Sequence, residues 1–562
     1  MNRLMDVIVV SGCAARARLA SQPTTGSPEA GTRTTDGVSR RPWSSASTSG
    51  MPESTTATSE LVVPRSMPMI FPTAENLPRT RQRSTPIHNP PQPPSQTHRS
   101  LWRWLALGQA LPLRAMRRAF HLITATLLLT GCASYERQTH SFRGAWNGGN
   151  TQKAAELANV QVYDRSDSRD GVIWLLEQGA ALRANDQLPE STYAFDRAEK
   201  RMQYYESQAK VRVSKETTAL VVNLATVPYE GRGYDRVMLN TYQALNYLRL
   251  GQPDAAMVEL RQASDEQDAE LIRNARRITS ARKSAGQYQS NILRTQNNAG
   301  TRTQLDRLQP SLNMDYGAFV NPFADFLHAL CLWSLSDDQR ENAIVSLRRI
   351  HDTLGGPAFI ADEIELVNGV LSGNKHPDLT YVIFETGVAP VRRGERLDIP
   401  LFDRDLPYVA AEFPRLENRG HPLTCAVAIG KTKMVATLIC DMDAVIGRDF
   451  RSELPGMFTR TLASAALKAT ATKKIGDKTG DIGTVLGTVY QVVSTQADLR
   501  TWTSLPKSFA VARVDTPADR KLTLFVGPQK SEVTVNTGRV NVVYVKGFAH
   551  GAPLKIHQFR LK

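Results

Sequence analysis

From about Ser134 to Gly373 apolar residues recur at spacings of three and four, and Pro and Gly are sparse within long stretches. That periodicity predicts helices. Two segments share one template: Gly179, Leu182, Ser191, Phe195 and Ala198 lie at offsets 0, 3, 12, 16 and 19, and Ala244, Tyr247, Ala256, Leu260 and Ala263 repeat those offsets. Cys331, Ala343, Leu347 and Ile350 keep offsets 0, 12, 16 and 19, while Ser334, between Trp333 and Leu335, breaks the third unit at offset 3. Small residues at offsets 0 and 12 let two antiparallel helices approach, and large residues one turn away fill the groove between them. Turn residues separate each pair: Asn185-Asp186, Gly251-Gln252-Pro253 and Ser336-Asp337-Asp338.

The helix pairs resemble the tetratricopeptide (TPR) unit, although their starts are 65 and 87 residues apart, far from a regular short period. An ordinary helical bundle with similar pair packing is the other reading. Between the second and third pairs, Asp265 to Leu308 is polar and carries Arg273, Arg276, Arg277, Arg282 and Lys283. It reads either as a basic arm for an anionic polymer or lipid headgroup, or as the solvated face of a long helix or hairpin.

Beyond residue 373 the pattern changes. Tyr381–Phe384 and Cys425–Ile429 are apolar runs rich in β-branched residues, and Val435–Cys440 after the turn Gly430–Lys433 reads as a hairpin partner. Helical patterns return at Asp443–Arg451, Pro455–Thr472 and Ile482–Gln496, with Pro455 suited to a first helical turn. Strands are predicted at Ser508–Val514, Lys521–Val526, Glu532–Val535, Val540–Val545 and Leu554–Leu561. The expected class is α+β. A TPR-like helical domain spans 132–373, and a β-sandwich-like or mixed domain with a helical hairpin insert spans 374–562.

The segment ahead of these domains differs in kind. Residues 1–115 are rich in Ser, Thr, Pro, Ala and Arg, with 13 Arg, no Lys and 6 acidic residues. Such a composition buries too little surface to offset the entropy of ordering. Residues 116–131 then read as an export signal: Met116-Arg117-Arg118 is a positive start, and Ala119–Leu129 is an apolar run too short to span a bilayer. Leu129-Thr130-Gly131-Cys132 resembles a bacterial lipobox, whose Cys takes a diacylglycerol and becomes the first residue. Ala133 follows, as in lipoproteins sent to the outer membrane. A signal peptide works at an N-terminus, so Met116 is the expected start, and residues 1–115 are a disordered extension or a mis-assigned start. From Cys132 onward 54 basic residues face 48 acidic ones, so the net charge of +15 shrinks to a mild excess. No basic run interleaved with aromatics appears, which argues against nucleic-acid binding.

The runs Tyr229-Glu230-Gly231, Val237-Met238-Leu239-Asn240, Ala244-Leu245-Asn246-Tyr247-Leu248, Val258-Glu259-Leu260-Arg261 and Ala497-Asp498-Leu499-Arg500-Thr501-Trp502 with Leu505-Pro506 carry a family resemblance. The chain resembles a family of uncharacterised bacterial outer-membrane lipoproteins with TPR-like helices. The resemblance spans roughly Cys132 to the C-terminus. It implies an envelope protein facing the periplasm, with a role in envelope or cell-wall biogenesis, and assigns no activity.

Candidate chemistry is thin. Gly476-Asp477-Lys478-Thr479-Gly480 lacks the glycines of a phosphate loop. Gly483 and Gly487 suit close helix packing or a membrane-inserting hairpin. Asp441 and Asp443 read as helix caps rather than a paired acid and base. No metal-ligand spacing, nucleophile motif or cofactor motif is present. Cys331 reads as buried and free; Cys425 and Cys440, diagonal across a hairpin turning at Lys431-Thr432, leave a bridge open. Arg500 and Trp502 alternate on an extended segment, so the guanidinium is expected to stack on the indole, as a partner contact or as a packed latch. The expected function is a lipid-anchored scaffold that binds an envelope protein through its helices, with Tyr247, Trp333, Arg500 and Trp502 as candidate contacts. The rival is a cell-wall glycan-binding protein or enzyme with its site in the β-rich half.

Overall fold

The structure is a computed structural model and describes residues 135–212, 227–309, 311–312, 314–400, 408–479, 497–548 and 551–562. Helices α1 (Tyr135–Asn147), α2 (Thr151–Arg165), α3 (Gly171–Ala184), α4 (Leu188–Arg212), α5 (Gly233–Arg249) and α6 (Pro253–Ser284) come first. Then follow α7 (Gln289–Asn297), α8 (Ala299–Arg307), α9 (Pro322–Leu335), α10 (Arg340–Thr353) and α11 (Ala358–Leu371). The three predicted pairs are present as α3–α4, α5–α6 and α9–α10, with their turns where the sequence placed them. Their complementarity is direct. A Cβ on Gly179 would sit 2.5 Å from the Phe195 ring, and the Ser191 hydroxyl donates to the Gly179 carbonyl at 2.7 Å.

The C-terminal half has strands β1 (Leu379–Thr386), β2 (Val391–Pro400), β3 (Tyr408–Glu417), β4 (Cys425–Ile429), β5 (Thr432–Val435) and β6 (Thr437–Asp441). Helix α12 (Met442–Thr479) precedes β7 (Ser508–Asp515), β8 (Lys521–Val526), β9 (Gln529–Thr534), β10 (Val540–Gly547) and β11 (Lys555–Arg560). A five-stranded sheet has the order β11-β10-β1-β7-β6, with β1 and β10 parallel; a four-stranded sheet has the order β5-β4-β8-β9; β2 and β3 form a separate ribbon. The class is α+β.

The five-stranded sheet is the middle layer. Val382, Phe384, Val543 and Val545 on one face pack with Cys425, Val427, Leu522 and Leu524 of the four-stranded sheet. Tyr381, Ile383, Val542 and Tyr544 on the other face join the core of the helices. With both faces covered, β1 and β10 are buried along their whole length, which explains their unbroken apolar runs.

Four readings change. Val435–Cys440 is not one hairpin partner: β5 pairs with β4 through a turn at Gly430-Lys431, not Lys431-Thr432, and the chain then leaves at Ala436 to become β6 on β7. Gly430 meets the turn's positive φ of 56°. Cys425 and Cys440 therefore belong to different cores, and both are free, as is Cys331. The two helices expected around Pro455 form one, because Phe450, Leu454, Phe458 and Leu462 bury a continuous stripe across the missing N–H. The ribbon β2–β3 is a further pair of strands, in a stretch where the sequence pattern predicts none. Of the polar 265–308 stretch, Arg273 and Arg277 are tied to Glu270 of their own long helix. Asp441 caps α12 as expected, accepting from the Asp443 N–H at 2.9 Å. The helix expected at Ile482–Gln496, Gly483 and Gly487, and the expected signal peptide with Cys132, lie outside the described residues.

Candidate partner-binding face

The first helix of each pair lies against the sheet. Tyr242 of α5 and Tyr544 of β10 donate to the Glu385 carboxylate of β1 at 2.7 and 2.5 Å, and Arg183 of α3 and Lys546 of β10 approach it at 3.2 and 2.6 Å. Burial pushes the Glu385 carboxyl up, but Lys546 and Arg183 outweigh it and hold the group down to about 2. Phe323 of α9 stacks on Phe509 of β7 with centroids 3.8 Å apart. The face formed by α3, α5 and α9 is thus occupied by the chain's own sheet.

That arrangement decides where the sequence-predicted residues stand. Trp333 is 1% exposed and packs on His376 and Tyr381. Trp502 is fully buried between Phe195 and Tyr242. Arg500 does not stack on Trp502. It bonds Asp498 at 2.7 Å, Asp170 at 3.2 Å and the Arg169 carbonyl at 3.1 Å, and lies over the Tyr229 ring. Carboxylates and a carbonyl attract the guanidinium more strongly than the neighbouring indole does. Arg500 and Trp502 together latch the 497–505 segment to the helices. Trp333, Arg500 and Trp502 therefore present no surface to a partner, and Tyr247, half-buried on α5, is the one of the four that does.

Tyr247 belongs to a polar stripe. Arg236, Asn240, Gln243 and Tyr247 are spaced i, i+4, i+7 and i+11, which sets them on one side of α5. That side faces the valley between α4 and α6, away from the sheet. At one end the valley is neutralised: Glu206 of α4 lies 3.7 Å from Arg236 and 3.8 Å from Arg273 of α6. At the other end Asp196 and Glu199 of α4 and Glu259 of α6 surround Tyr247 and raise its pKa in addition to burial. Burial first, then Glu199 and Asp196, push the Glu259 carboxyl up to about 7, with no cation to offset them. Below these carboxylates Gln243 is fully buried with neither amide atom hydrogen-bonded, and Asn240 Oδ1, Glu259 Oε2 and Gln262 Oε1 also lack partners. The sequence signal is four polar residues at helical spacing on α5, opposite the apolar Met238, Tyr242 and Leu245. Of the four, the sequence pattern singles out Tyr247 alone, as a packing position of the helix pair and a candidate partner contact.

A raised carboxyl pKa costs stability as pH rises. Glu259 binds its proton more tightly folded than unfolded, so its penalty is absent below the ordinary carboxylate range and grows until pH passes about 7. After discounting for its part exposure, Glu259→Gln is expected to stabilise the protein by about 1–2 kcal/mol at pH 8 and by almost nothing at pH 4. Urea unfolding at the two pH values checks this; equal effects at both would remove the electrostatic explanation.

No protein family, curated protein or solved structure matches this chain. Among the described residues no group of three or more His, Cys, Asp or Glu is placed to hold a metal ion, and no helix is long and apolar enough to cross a membrane. A concavity of about 450 Å³ lies between α11 and β7; its Arg513 is committed to the buried Glu363 at 2.7 Å.

Proposed function

We propose that this protein is a lipid-anchored interaction protein of the bacterial outer membrane, facing the periplasm, that binds an envelope protein on its outer helices. The lipobox ending at Cys132 and the resemblance to TPR-like outer-membrane lipoproteins support the anchoring and the setting. The observation that carries the interaction role is the valley between α4 and α6, where buried polar groups stand without partners beside half-exposed carboxylates. Ordered buried polar groups normally find partners, and leaving them unsatisfied costs about 1–3 kcal/mol each. Sites that trade stability in this way are commonly binding sites. The docking surface then lies on the side of α5 that faces away from the sheet, between α4 and α6.

A photo-crosslinking residue in place of Tyr247 tests this in intact cells. A discrete crosslinked species is expected from position 247 and not from Val345, which is 65% exposed on α10. Equal yields at both positions, or none at 247, would contradict the assignment of this face.

A further inference from the structure

The valley's unpartnered groups are mostly acceptors: Asn240 Oδ1, Gln243 Oε1, Glu259 Oε2 and Gln262 Oε1. Gln243 Nε2 is the exception, a donor. The occupant therefore needs several donors, positive charge and an acceptor. We infer that the valley between α4 and α6 receives an arginine side chain of a partner polypeptide, with the guanidinium among Asp196, Glu199 and Glu259. Arginine carries five N–H donors in a planar fork and no acceptor, so it matches separated acceptors better than the point charge of lysine. Tyr247 supplies a ring on which a guanidinium stacks. The Gln243 Nε2 donor calls for a carbonyl, which a peptide backbone has and a polyamine lacks.

Charge selects the same occupant. Arg236 and Arg273 converge on Glu206 and neutralise one end of the valley, whereas at Glu259 the neighbouring charges that act are both negative. A bound guanidinium removes that repulsion and fills the acceptors together. Gln243 is closed to solvent and Tyr247 is not, so the guanidinium meets the carboxylates first and reaches the amide floor by a side-chain rearrangement at the rim. This reading names the partner chemistry of the proposed interaction role and rests on that role only for the partner being a protein. It does not depend on acylation, so loss of lipid at Cys132 and loss of this site are separately observable.

The test is calorimetric titration of the full mature chain with capped peptides. Acetyl-(Ala-Arg)4-amide is expected to bind, more weakly at high salt, and acetyl-(Ala-Glu)4-amide is not. Asp196→Asn with Glu259→Gln is expected to weaken the arginine peptide at least about tenfold. Gln243→Leu, which keeps the charges and removes the amide, is expected to weaken it severalfold while leaving its salt dependence unchanged. Circular dichroism and urea unfolding confirm that each variant is folded. Equal binding by the lysine peptide acetyl-(Ala-Lys)4-amide would overturn the assignment to arginine. Equal binding by spermidine would overturn the assignment to a polypeptide. Binding indifferent to both sets of substitutions, or no binding, would overturn the site and leave the valley a hydrated surface.

Discussion

Glu385→Ala is expected to destabilise the protein by about 3–5 kcal/mol, read as a shift of the urea or thermal unfolding midpoint. The reason is what remains. Arg183 and Lys546 are 6% and 3% exposed at their side chains, and the carboxylate between them is their shared counter-charge. Without it two cations stay buried together, and the Tyr242 and Tyr544 hydroxyls lose their acceptor. Removing one partner of a buried ionic group is far costlier than removing the group as a whole. Glu385→Leu combined with Arg183→Met and Lys546→Met is therefore expected to recover much of the loss. The pH dependence has the opposite sign to that at Glu259. Glu385 is depressed to about 2 in the folded protein, so its contribution is complete above the ordinary glutamate range and is lost as pH falls toward 2. A loss below about 1 kcal/mol in the single variant would show that water enters the cluster and screens it.

Cys132→Ala is expected to abolish acylation completely, because alanine has no nucleophile to take the diacylglycerol. Each acyl CH₂ buried in a bilayer contributes about 0.8 kcal/mol, so the proposed anchor would draw its strength from the lipid. Among the described residues no helix is suited to replace it. Metabolic labelling with a palmitate analogue reads the outcome: the parent chain takes label and the variant takes none. Label persisting in the variant would place the modification elsewhere and remove the basis for outer-membrane anchoring. The same variant purified as a soluble chain should retain arginine-peptide binding, since the valley lies on helices remote in sequence from residue 132.

The helix pairs were legible because their code is local. Small and large residues at fixed offsets, with turn residues between, describe contacts made within about twenty residues, and Gly179 against Phe195 is such a contact. The strands β1, β4, β7, β8 and β10 were legible for a related reason: burial on one or both faces leaves an apolar run or an alternation that survives in one dimension. The ribbon β2–β3 was not. Its strand Val391–Pro400 reads as Arg392, Arg393, Glu395 and Arg396 among few apolar residues, and its order comes from distant partners. Arg392 bonds Glu453 of α12 at 3.1 Å, and Arg232 ahead of α5 shares that carboxylate at 3.4 Å. The division of Thr432–Asp441 between two sheets was equally hidden, since either half pairs well by composition.

By itself the sequence determined the α+β class, the helix pairs with their turns, most strands, the cap at Asp441 and the expectation of a lipid anchor at Cys132. Each depends on residues near one another along the chain. The tertiary structure decided which faces remain available. It laid α3, α5 and α9 against the sheet, turned Trp333, Arg500 and Trp502 into interior residues, separated Cys425 from Cys440, and set the stripe through Gln243 and Tyr247 on the side away from the sheet with Tyr247 reaching the surface. Those outcomes depend on pairings such as Arg183 with Glu385, about two hundred residues apart, and local periodicity carries no information about partners at that distance.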